Sequence, residues 1–131
     1  MTATILLVRH AAHRDLGRIL SGRAGDVPLS AEGREAARGL AHSLSGARLD
    51  AVQTSPVRRA RETAGALARP FGIVPDIAAP LDEIDFGAWE GLPFAALEKD
   101  PCWHRWNADR DIAAPPGGEA MSAVQARVLG H

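Results

Sequence analysis

Short apolar runs and amphipathic stretches alternate along the chain, and each predicts an element of secondary structure. The four consecutive apolar residues from Ile5 to Val8 predict a buried strand. Residues 51–54 and 73–77 also have the composition of short strands, and Pro75 favours an edge position for the second of them. Because ligands bind beyond the carboxyl ends of parallel strands, the residues that follow each run are candidates for chemistry.

Two stretches with apolar residues at intervals of three and four predict helices in the first half of the chain. The first helix begins at the N-cap Ser30 and runs to about Ser45, and we expect its His42 to face the surface. The second begins directly after the second strand, with Ser55 as N-cap and Pro56 as the first helical residue. The predicted inward residues are Ala36, Ala37, Leu40, Ala41 and Leu44 in the first helix, and Val57, Ala60, Ala64 and Leu67 in the second.

Positively charged side chains follow the first two predicted strands. Arg9 and His10 come directly after the first apolar run, although the pair taken alone also fits two solvated side chains that open a loop. Arg58, Arg59 and Arg61 lie near the start of the second helix, where the N-terminus favours anions. We expect these three arginines to lie largely outside the apolar stripe of the helix. An arginine in such a position either binds phosphate or belongs to a charged outer face.

Residues 81–91 concentrate four acids and two aromatic side chains between turn glycines. One interpretation is an acidic surface loop that is anchored by Phe86 and Trp89. The other is a loop that folds over the strand ends, where one carboxyl donates a proton to a leaving oxygen. The residues alone leave both interpretations open.

Five motifs occur in order over nearly the whole chain. They are Val8-Arg9-His10, then Pro28-Leu29-Ser30 with Gly33, then Thr54-Ser55 through Arg59-Ala60 to Thr63-Ala64, then Leu81-Asp82-Glu83 with Phe86-Gly87 and Trp89-Glu90-Gly91, and finally Pro116-Gly117-Gly118-Glu119. Together they resemble the histidine phosphatase superfamily, the phosphoglycerate mutase-like group. The resemblance implies one α/β domain over residues 1–131, a three-layer α/β/α sandwich with a mostly parallel sheet. It also implies that residues 92–117 form a substrate-selecting lid.

The resemblance further implies a two-step phosphoryl transfer through a phosphohistidine on His10. Glu83 would protonate the leaving alkoxide and later activate water, while Arg9 and Arg59 would hold the phosphoryl oxygens. Ser21 falls near a position at which relatives bind the phosphoryl group, and its alternative is a turn residue. Guanidiniums keep their protons and disfavour imidazolium nearby, so they also favour a neutral, nucleophilic His10. The scheme needs no metal and no cofactor.

Three observations refine the expected activity. The loop after His10 lacks the longer Gly-Gln-Ser-Glu-Trp-Asn-like run of the glycolytic mutases, so a phosphate monoester hydrolase is favoured over mutase-type phosphoryl transfer. Ala11 stands where the family usually has glycine, a change of one methyl group that we expect to be tolerated. No run resembles the Val-Ser-His-Gly of the second catalytic histidine, since His131 follows a helical pattern over 119–129 that has no C-cap beyond Gly130.

This absence predicts that the sequence is part of a longer protein, incomplete at its C-terminal end. The alternative is an inactive module that binds a phospho-ligand without turning it over. Both possibilities place phosphate at the arginine pair, and only the first includes hydrolysis.

Composition narrows the partners. A net charge of −1 gives no basis for nucleic acid or an anionic membrane, which leaves a small phosphorylated substrate and predicts no particular oligomeric state. The single Cys102 cannot form an intramolecular disulfide, and the apolar run before Arg9 is too short for a signal peptide, so we expect a cytoplasmic protein.

Cys102 and His104 lack two further ligands for a metal. We expect Trp103 and Trp106 to contact the leaving group or to pack the lid down.

Overall fold

A computed structural model of the protein describes residues 2–24 and 26–131. Residues 1 and 25 lie outside the described residues. The helices and strands, in chain order, are α1 (Ala31–Ser43), β1 (Gln53–Thr54), α2 (Arg58–Ala68), β2 (Asp76–Ile77), α3 (Phe94–Leu97), α4 (Pro101–Ala108) and α5 (Met121–Leu129). Single 3₁₀ turns occur at Arg69–Phe71, Ala79–Leu81 and Gly87–Trp89.

The two strands form a parallel pair. Gln53 lies opposite Asp76 and Thr54 opposite Ile77. The Asp76 N–H donates to the carbonyl of Val52 at 2.9 Å, and the Ala78 N–H donates to that of Thr54 at 2.9 Å. The predictions of strands within 51–54 and 73–77 are therefore confirmed, although each strand is shorter than the apolar run that predicted it.

The prediction of a buried strand at Ile5–Val8 is wrong. Within the part of the chain that the structure describes, β1 and β2 pair only with each other, and residues 5–8 belong to no strand. The side chains are open to solvent, with Leu7 94% and Ile5 79% exposed. A strand is stabilised by ladder hydrogen bonds and by a covered face, and this segment has neither, so apolar composition alone did not bury it. His10 consequently does not sit at the end of a strand and is held by other contacts.

Helix α1 begins where the sequence predicts. The Ser30 side chain accepts a hydrogen bond from the Gly33 N–H at 3.0 Å, which caps the helix. Its inward face is narrower than predicted, since Ala37 and Ala41 are buried with Gly33 while Leu40 is exposed. Small side chains on this row let α1 lie close to its neighbours, and Ala36 is exposed beside Leu40. His42 is exposed, as predicted.

Helix α2 begins later than predicted. Its N-cap is Val57, in an extended conformation, and Ser55 does not cap the helix. The Ser55 hydroxyl instead accepts a hydrogen bond from the Val57 N–H at 3.4 Å and lies 3.3 Å from Asp82 Oδ1. The buried face also differs from the apolar stripe, because Arg59 and Thr63 lie on it with Ala64, Leu67 and Ala68. The expectation that Arg59 lies off the buried side is therefore wrong.

An aromatic core fills the second half of the chain. Phe86, Trp89, Trp103 and Trp106 are buried with Ile84 and Leu97, and edge-to-face contacts join the rings. The loop at 81–91 is anchored by Phe86 and Trp89, as its first interpretation proposed. The Trp89 indole N–H donates to Asp100 at 2.9 Å, and Asp100 also caps α4. Trp103 and Trp106 are thus packing residues of this core.

Helix α5 completes the described elements. It ends where predicted, at Leu129, and begins two residues later than the predicted start, and Val124 packs against the aromatic core. Met121 and Val128, whose spacing from Val124 places them on the same face of the helix, are 37% and 39% exposed. None of the described helices combines the length and the apolar character needed to cross a membrane.

Candidate active site

Thr63 fixes the backbone on either side of the candidate site. Its hydroxyl donates to the carbonyl of Arg59 at 2.7 Å and accepts the Ala11 N–H at 3.1 Å. This buried side chain therefore connects the first turn of α2 to the loop that follows His10. Ala11 is unstrained there, since no non-glycine residue of the described chain has a positive φ.

The hydrogen bonds of His10 define which ring nitrogen is free to react. Its Nδ1 lies 2.9 Å from the carbonyl oxygen of Ala11, and because a carbonyl only accepts, Nδ1 carries the hydrogen. The neutral ring then has its lone pair on Nε2. The Nε–H of Arg59 points to this atom at 3.4 Å. The site thus holds the imidazole in the tautomer that a nucleophilic Nε2 needs.

Arg59 connects the candidate residues. It is 2% exposed, and its Nη2 donates to the carbonyl of Gly22 at 2.8 Å. The same nitrogen lies 3.4 Å from Glu83 Oε2. A buried guanidinium with one distant carboxylate retains much of its positive potential, which favours a bound anion.

Glu83 reaches the site from the loop at 81–91. Its Oε1 accepts the backbone N–H of Ile84 at 3.0 Å, which turns Oε2 toward Arg59. The side chain is 35% exposed, so its other face is open to a ligand. The structure therefore brings His10, Arg59 and Glu83 together, although they are distant in the sequence.

The other two predicted phosphate ligands lie at the margin of this group. Arg9 is exposed and makes no hydrogen bond or ion pair with the residues at 2–24 and 26–131. Ser21 is buried, and its hydroxyl finds no hydrogen-bond partner in the described chain. It directly precedes Gly22, whose carbonyl binds Arg59. Its polar atom is therefore near the site without being bound to it.

Arg58 and Arg61 point away from His10. Arg58 pairs with Glu62 at 2.6 Å and with Asp26 at 2.8 Å, and Arg61 donates to the carbonyl of Pro56 at 2.8 Å. Of the three arginines of α2, only Arg59 faces the candidate site. The other two form the charged outer face that the sequence allowed.

His13 is a residue of the site that the sequence analysis did not single out. It is 8% exposed, and its ring centroid lies 5.4 Å from that of His10 in an edge-to-face arrangement. Burial, followed by the charges of Arg59 and His10, lowers the pKa of His13, an effect that Asp15 opposes. Its Nδ1 is buried with no hydrogen-bond partner in the described chain. No periodic pattern marks the residue, which is one polar side chain in a long loop.

The contact that holds the turn at Gly22 was not predicted from the sequence. Gly22 has a φ of +51°, and a Cβ there would lie 2.7 Å from Glu90 Oε1. The same oxygen accepts the Arg23 N–H at 3.0 Å. Glu90 therefore holds the turn that presents the Gly22 carbonyl to Arg59. In the sequence, only the place of Glu90 in the Trp89-Glu90-Gly91 motif pointed to this role.

The Pro116-Gly117-Gly118-Glu119 motif lies against the loop that carries Glu83. The Glu119 N–H donates to the carbonyl of Asp85 at 2.8 Å, and the Ala88 N–H donates to that of Pro116 at 2.9 Å. A Cβ at Gly87 or Gly118 would overlap the opposing backbone, so glycine permits this close approach. Within the described residues, no group of three or more His, Cys, Asp or Glu side chains could hold a metal ion.

Parallel strands flanked by helices, with a buried guanidinium beside His10 Nε2, define an α/β protein with a candidate anion-binding site. The chain belongs to the histidine phosphatase superfamily (branch 1), whose sequence model matches residues 5–130. The family and the phosphoglycerate mutase-like fold class inferred from the motifs are thereby confirmed.

Individual relatives agree with this assignment. The chain is similar to phosphoserine phosphatase 1 of Hydrogenobacter thermophilus, with 33% identity over 130 residues, covering 96% of this chain and 61% of that protein. A shorter stretch of 80 residues is 49% identical to a bifunctional protein of Mycobacterium tuberculosis and covers 60% of this chain and 22% of that protein. Among solved structures, a mycobacterial glucosyl-3-phosphoglycerate phosphatase superposes with a TM-score of 0.79 at 32% identity, covering 90% of this chain and 56% of that one. The chain thus spans under two thirds of these relatives.

Proposed function

We propose that the protein hydrolyses small phosphate monoesters through a phosphohistidine on His10, without a metal. The observation that supports this most directly is the Arg59 guanidinium, which lies 3.4 Å from both His10 Nε2 and Glu83 Oε2. A nucleophile, a fixed cation and an acid are therefore within reach of one phosphoryl group. The relatives named as phosphatases support the same chemistry.

In the first step, His10 Nε2 attacks phosphorus, and the bond between phosphorus and the ester oxygen breaks. Protonated Glu83 gives its proton to the leaving oxygen, so an alcohol departs instead of an alkoxide. The reaction leaves a phosphoryl group on the imidazole. Because phosphoryl transfer depends mainly on positioning and charge stabilisation, Arg59 contributes by donating to the equatorial oxygens.

In the second step, the Glu83 carboxylate accepts a proton from water while the water oxygen attacks phosphorus. The bond between nitrogen and phosphorus breaks and frees inorganic phosphate. His10 returns to its neutral form and Glu83 to its protonated form, so the cycle is balanced. In this scheme Arg9 and Ser21 are further phosphate ligands, Arg9 from the solvent side and Ser21 through its unbonded hydroxyl.

We further propose that residues 92–117 act as a substrate-selecting lid on a single domain, and that the protein works in the cytoplasm as a histidine acid phosphatase-type enzyme.

Two other functions are compatible with the same arginine site. Mutase-type phosphoryl transfer would use the same His10 and Glu83 but return the phosphoryl group to an alcohol. An inactive phospho-ligand binding module is favoured by one observation, the absence of a Val-Ser-His-Gly-like run from the sequence.

The complete natural protein and its His10→Ala variant would be assayed on p-nitrophenyl phosphate in the presence of EDTA. We expect steady turnover by the unchanged protein, loss of turnover in the variant, and an acid-labile phosphoenzyme only in the former. His42→Ala, at an exposed histidine of α1, is the control. Equal activity with and without His10 would refute the nucleophile. Phosphate binding without any turnover would favour the binding module, and phosphoryl transfer to an added alcohol in place of water would favour the mutase.

A further inference from the structure

The backbone of Glu83 is bound by two arginines from distant parts of the chain. Its carbonyl oxygen accepts a hydrogen bond from Arg23 Nε at 2.6 Å and another from Arg127 Nη2 at 3.2 Å. Arg127 also donates to the carbonyl of Pro80 at 2.6 Å. The loop that carries Glu83 is therefore held just before Glu83 and at that residue.

Glu119 joins the two arginines. It forms a bidentate pair with Arg127, with Nε to Oε1 at 2.8 Å and Nη2 to Oε2 at 3.0 Å. Arg23 Nη2 donates to the same Oε2 at 3.1 Å. The hydrogen bonds from Arg127 lower the pKa of Glu119, and the pairing raises the pKa of Arg127. We call these three residues, Arg23, Glu119 and Arg127, the Glu119 clamp.

The Glu119 clamp has the properties of a rigid support. The side chains of Glu119 and Arg127 are 16% and 21% exposed, so water screens their pairing less than that of a surface ion pair. Bidentate pairing also fixes the guanidinium plane. Arg23 approaches from the turn beside Gly22 and contacts Asp82 at 3.4 Å, while Arg127 approaches from α5. Two independent elements thus determine where the Glu83 backbone lies.

Backbone position decides whether the Glu83 carboxyl can transfer a proton. Its Oε1 is tied to the next backbone N–H, so a shift of the loop moves the carboxyl with it. Proton transfer requires hydrogen-bond distance to the leaving oxygen, and misplacement by about 1 Å can reduce a rate by about 10²-fold. None of the three clamp residues contacts His10 among the described residues, so their effect on the reaction runs through Glu83.

We propose that Arg23, Glu119 and Arg127 are positioning residues that hold Glu83 for proton transfer to the leaving group. This inference rests on the proposed function. A positioning role predicts a difference between two classes of substrate, whereas general stabilisation of the fold predicts no such difference. In the first step, which kcat/KM reports, loss of the clamp should slow substrates whose leaving oxygen needs a proton and largely spare those whose leaving group departs as a stable anion.

Two substrates of the complete natural protein separate these cases. p-Nitrophenolate is a weak base that leaves without a proton, whereas an alkyl phosphate such as glycerol phosphate must release an alcohol. For Arg127→Gln we expect kcat/KM on the alkyl phosphate to fall at least about tenfold more than on p-nitrophenyl phosphate, within the range of general-acid effects. Arg127→Lys, which keeps the charge without the planar fork, should lie between this variant and the unchanged protein.

Three further variants test whether the selectivity for leaving groups arises from the position of Glu83. Glu119→Gln should show the same selectivity for leaving groups and allows the test if Arg127→Gln fails to fold. Arg48→Gln, at an arginine whose side chain is 90% exposed, should change activity on neither substrate. Adding Arg127→Gln to Glu83→Gln should produce no further selectivity, because both changes act through one carboxyl.

Equal losses on the two substrates, or no loss, in the folded clamp variants would overturn the positioning role. The proposed function fails by a different result, namely a Glu83→Gln variant that shows no selectivity between the two substrates. The two failures are therefore distinguishable.

Discussion

Arg59 carries its charge inside the protein, and its three neighbours determine how much of that charge is available to a ligand. The Nε2 atom of His10 and the carbonyl of Gly22 offer Arg59 only hydrogen-bond acceptors without a negative charge. Glu83 is the one carboxylate that contacts the guanidinium among the described residues, at 3.4 Å. The guanidinium therefore keeps a positive potential that would stabilise a bound phosphoryl dianion. Its planar set of donors would also fix the orientation of that group, which the charge alone does not do.

Arg59→Lys tests this point. A lysine keeps the charge but cannot donate in a planar fork to Nε2, the Gly22 carbonyl and a phosphoryl oxygen together. We expect kcat/KM for p-nitrophenyl phosphate to fall by about 10²- to 10³-fold, as when one preorganised donor is removed from an oxyanion site. Arg69→Lys, at an exposed arginine just after α2, is the control. A loss of less than about threefold in Arg59→Lys would contradict the role.

His13 makes stability depend on pH. Burial is the main cause that lowers its pKa in the folded protein, aided by Arg59, His10 and Arg9 and opposed by Asp15. The unfolded chain therefore binds more protons in the interval below the ordinary pKa of 6.5, so stability falls as the pH drops through that interval.

The measurement is chemical denaturation of the unchanged protein and His13→Gln between pH 5 and about pH 8. We expect the free energy of unfolding of the unchanged protein to decline more steeply below about pH 6.5 than that of the variant. His42→Gln replaces an exposed histidine and serves as the control. Identical pH slopes for His13→Gln and the unchanged protein would exclude the effect.

At the scale of elements, α1 supports the site through one glycine. Gly33 packs on the carbonyl of Ala12, and a Cβ at this position would overlap that oxygen. Ala12 also accepts the Ser30 N–H at 3.0 Å, so the start of α1 and the loop after His10 form one unit. Any displacement of α1 therefore displaces the loop that carries the proposed nucleophile.

Gly33→Ala and Gly39→Ala provide a matched pair within α1. Because backbone atoms oppose the new methyl group at position 33, we expect Gly33→Ala to destabilise the protein by about 1–3 kcal/mol and to reduce activity. Gly39 has nothing within 4 Å of its Cβ position, so Gly39→Ala should stabilise by about 0.5–1 kcal/mol through helix propensity. Thermal melts and turnover of both variants check this. If Gly33→Ala changed neither the stability nor the activity, the loop after His10 would be free to move away from α1.

Some elements were predictable because their signals are local. Ser30 and Gly33 indicate the start of α1 through their local capping pattern. The quoted motifs contain His10, Arg59 and Glu83, which the structure brings together. The exposure of Ile5–Val8 was not predictable from their apolar composition, because a strand depends on a partner that its own residues do not encode. The pairing of Arg23 with Glu119 joins residues 96 positions apart and has no local pattern.

At the scale of the whole molecule, the site and the aromatic core are connected by one loop. Residues 81–91 carry Glu83 at one end and place Phe86 and Trp89 in the core at the other. Leu97 packs in this core at 1% exposure, far from His10 in the sequence. The core should therefore affect activity through the fraction of folded protein, whereas the Glu119 clamp should affect the chemistry of the folded protein.

Leu97→Ala separates these two effects. Removing a fully buried leucine side chain leaves a cavity, and we expect a loss of about 2–5 kcal/mol in the free energy of unfolding. At a temperature where the variant remains folded, kcat on p-nitrophenyl phosphate and on an alkyl phosphate should stay within about twofold of the unchanged protein, because the clamp still holds Glu83. Leu129→Ala, at a leucine that is 77% exposed, is the control for stability. If Leu97→Ala, while folded, lost activity mainly on the alkyl phosphate, the aromatic core and not the clamp alone would be positioning the proton donor.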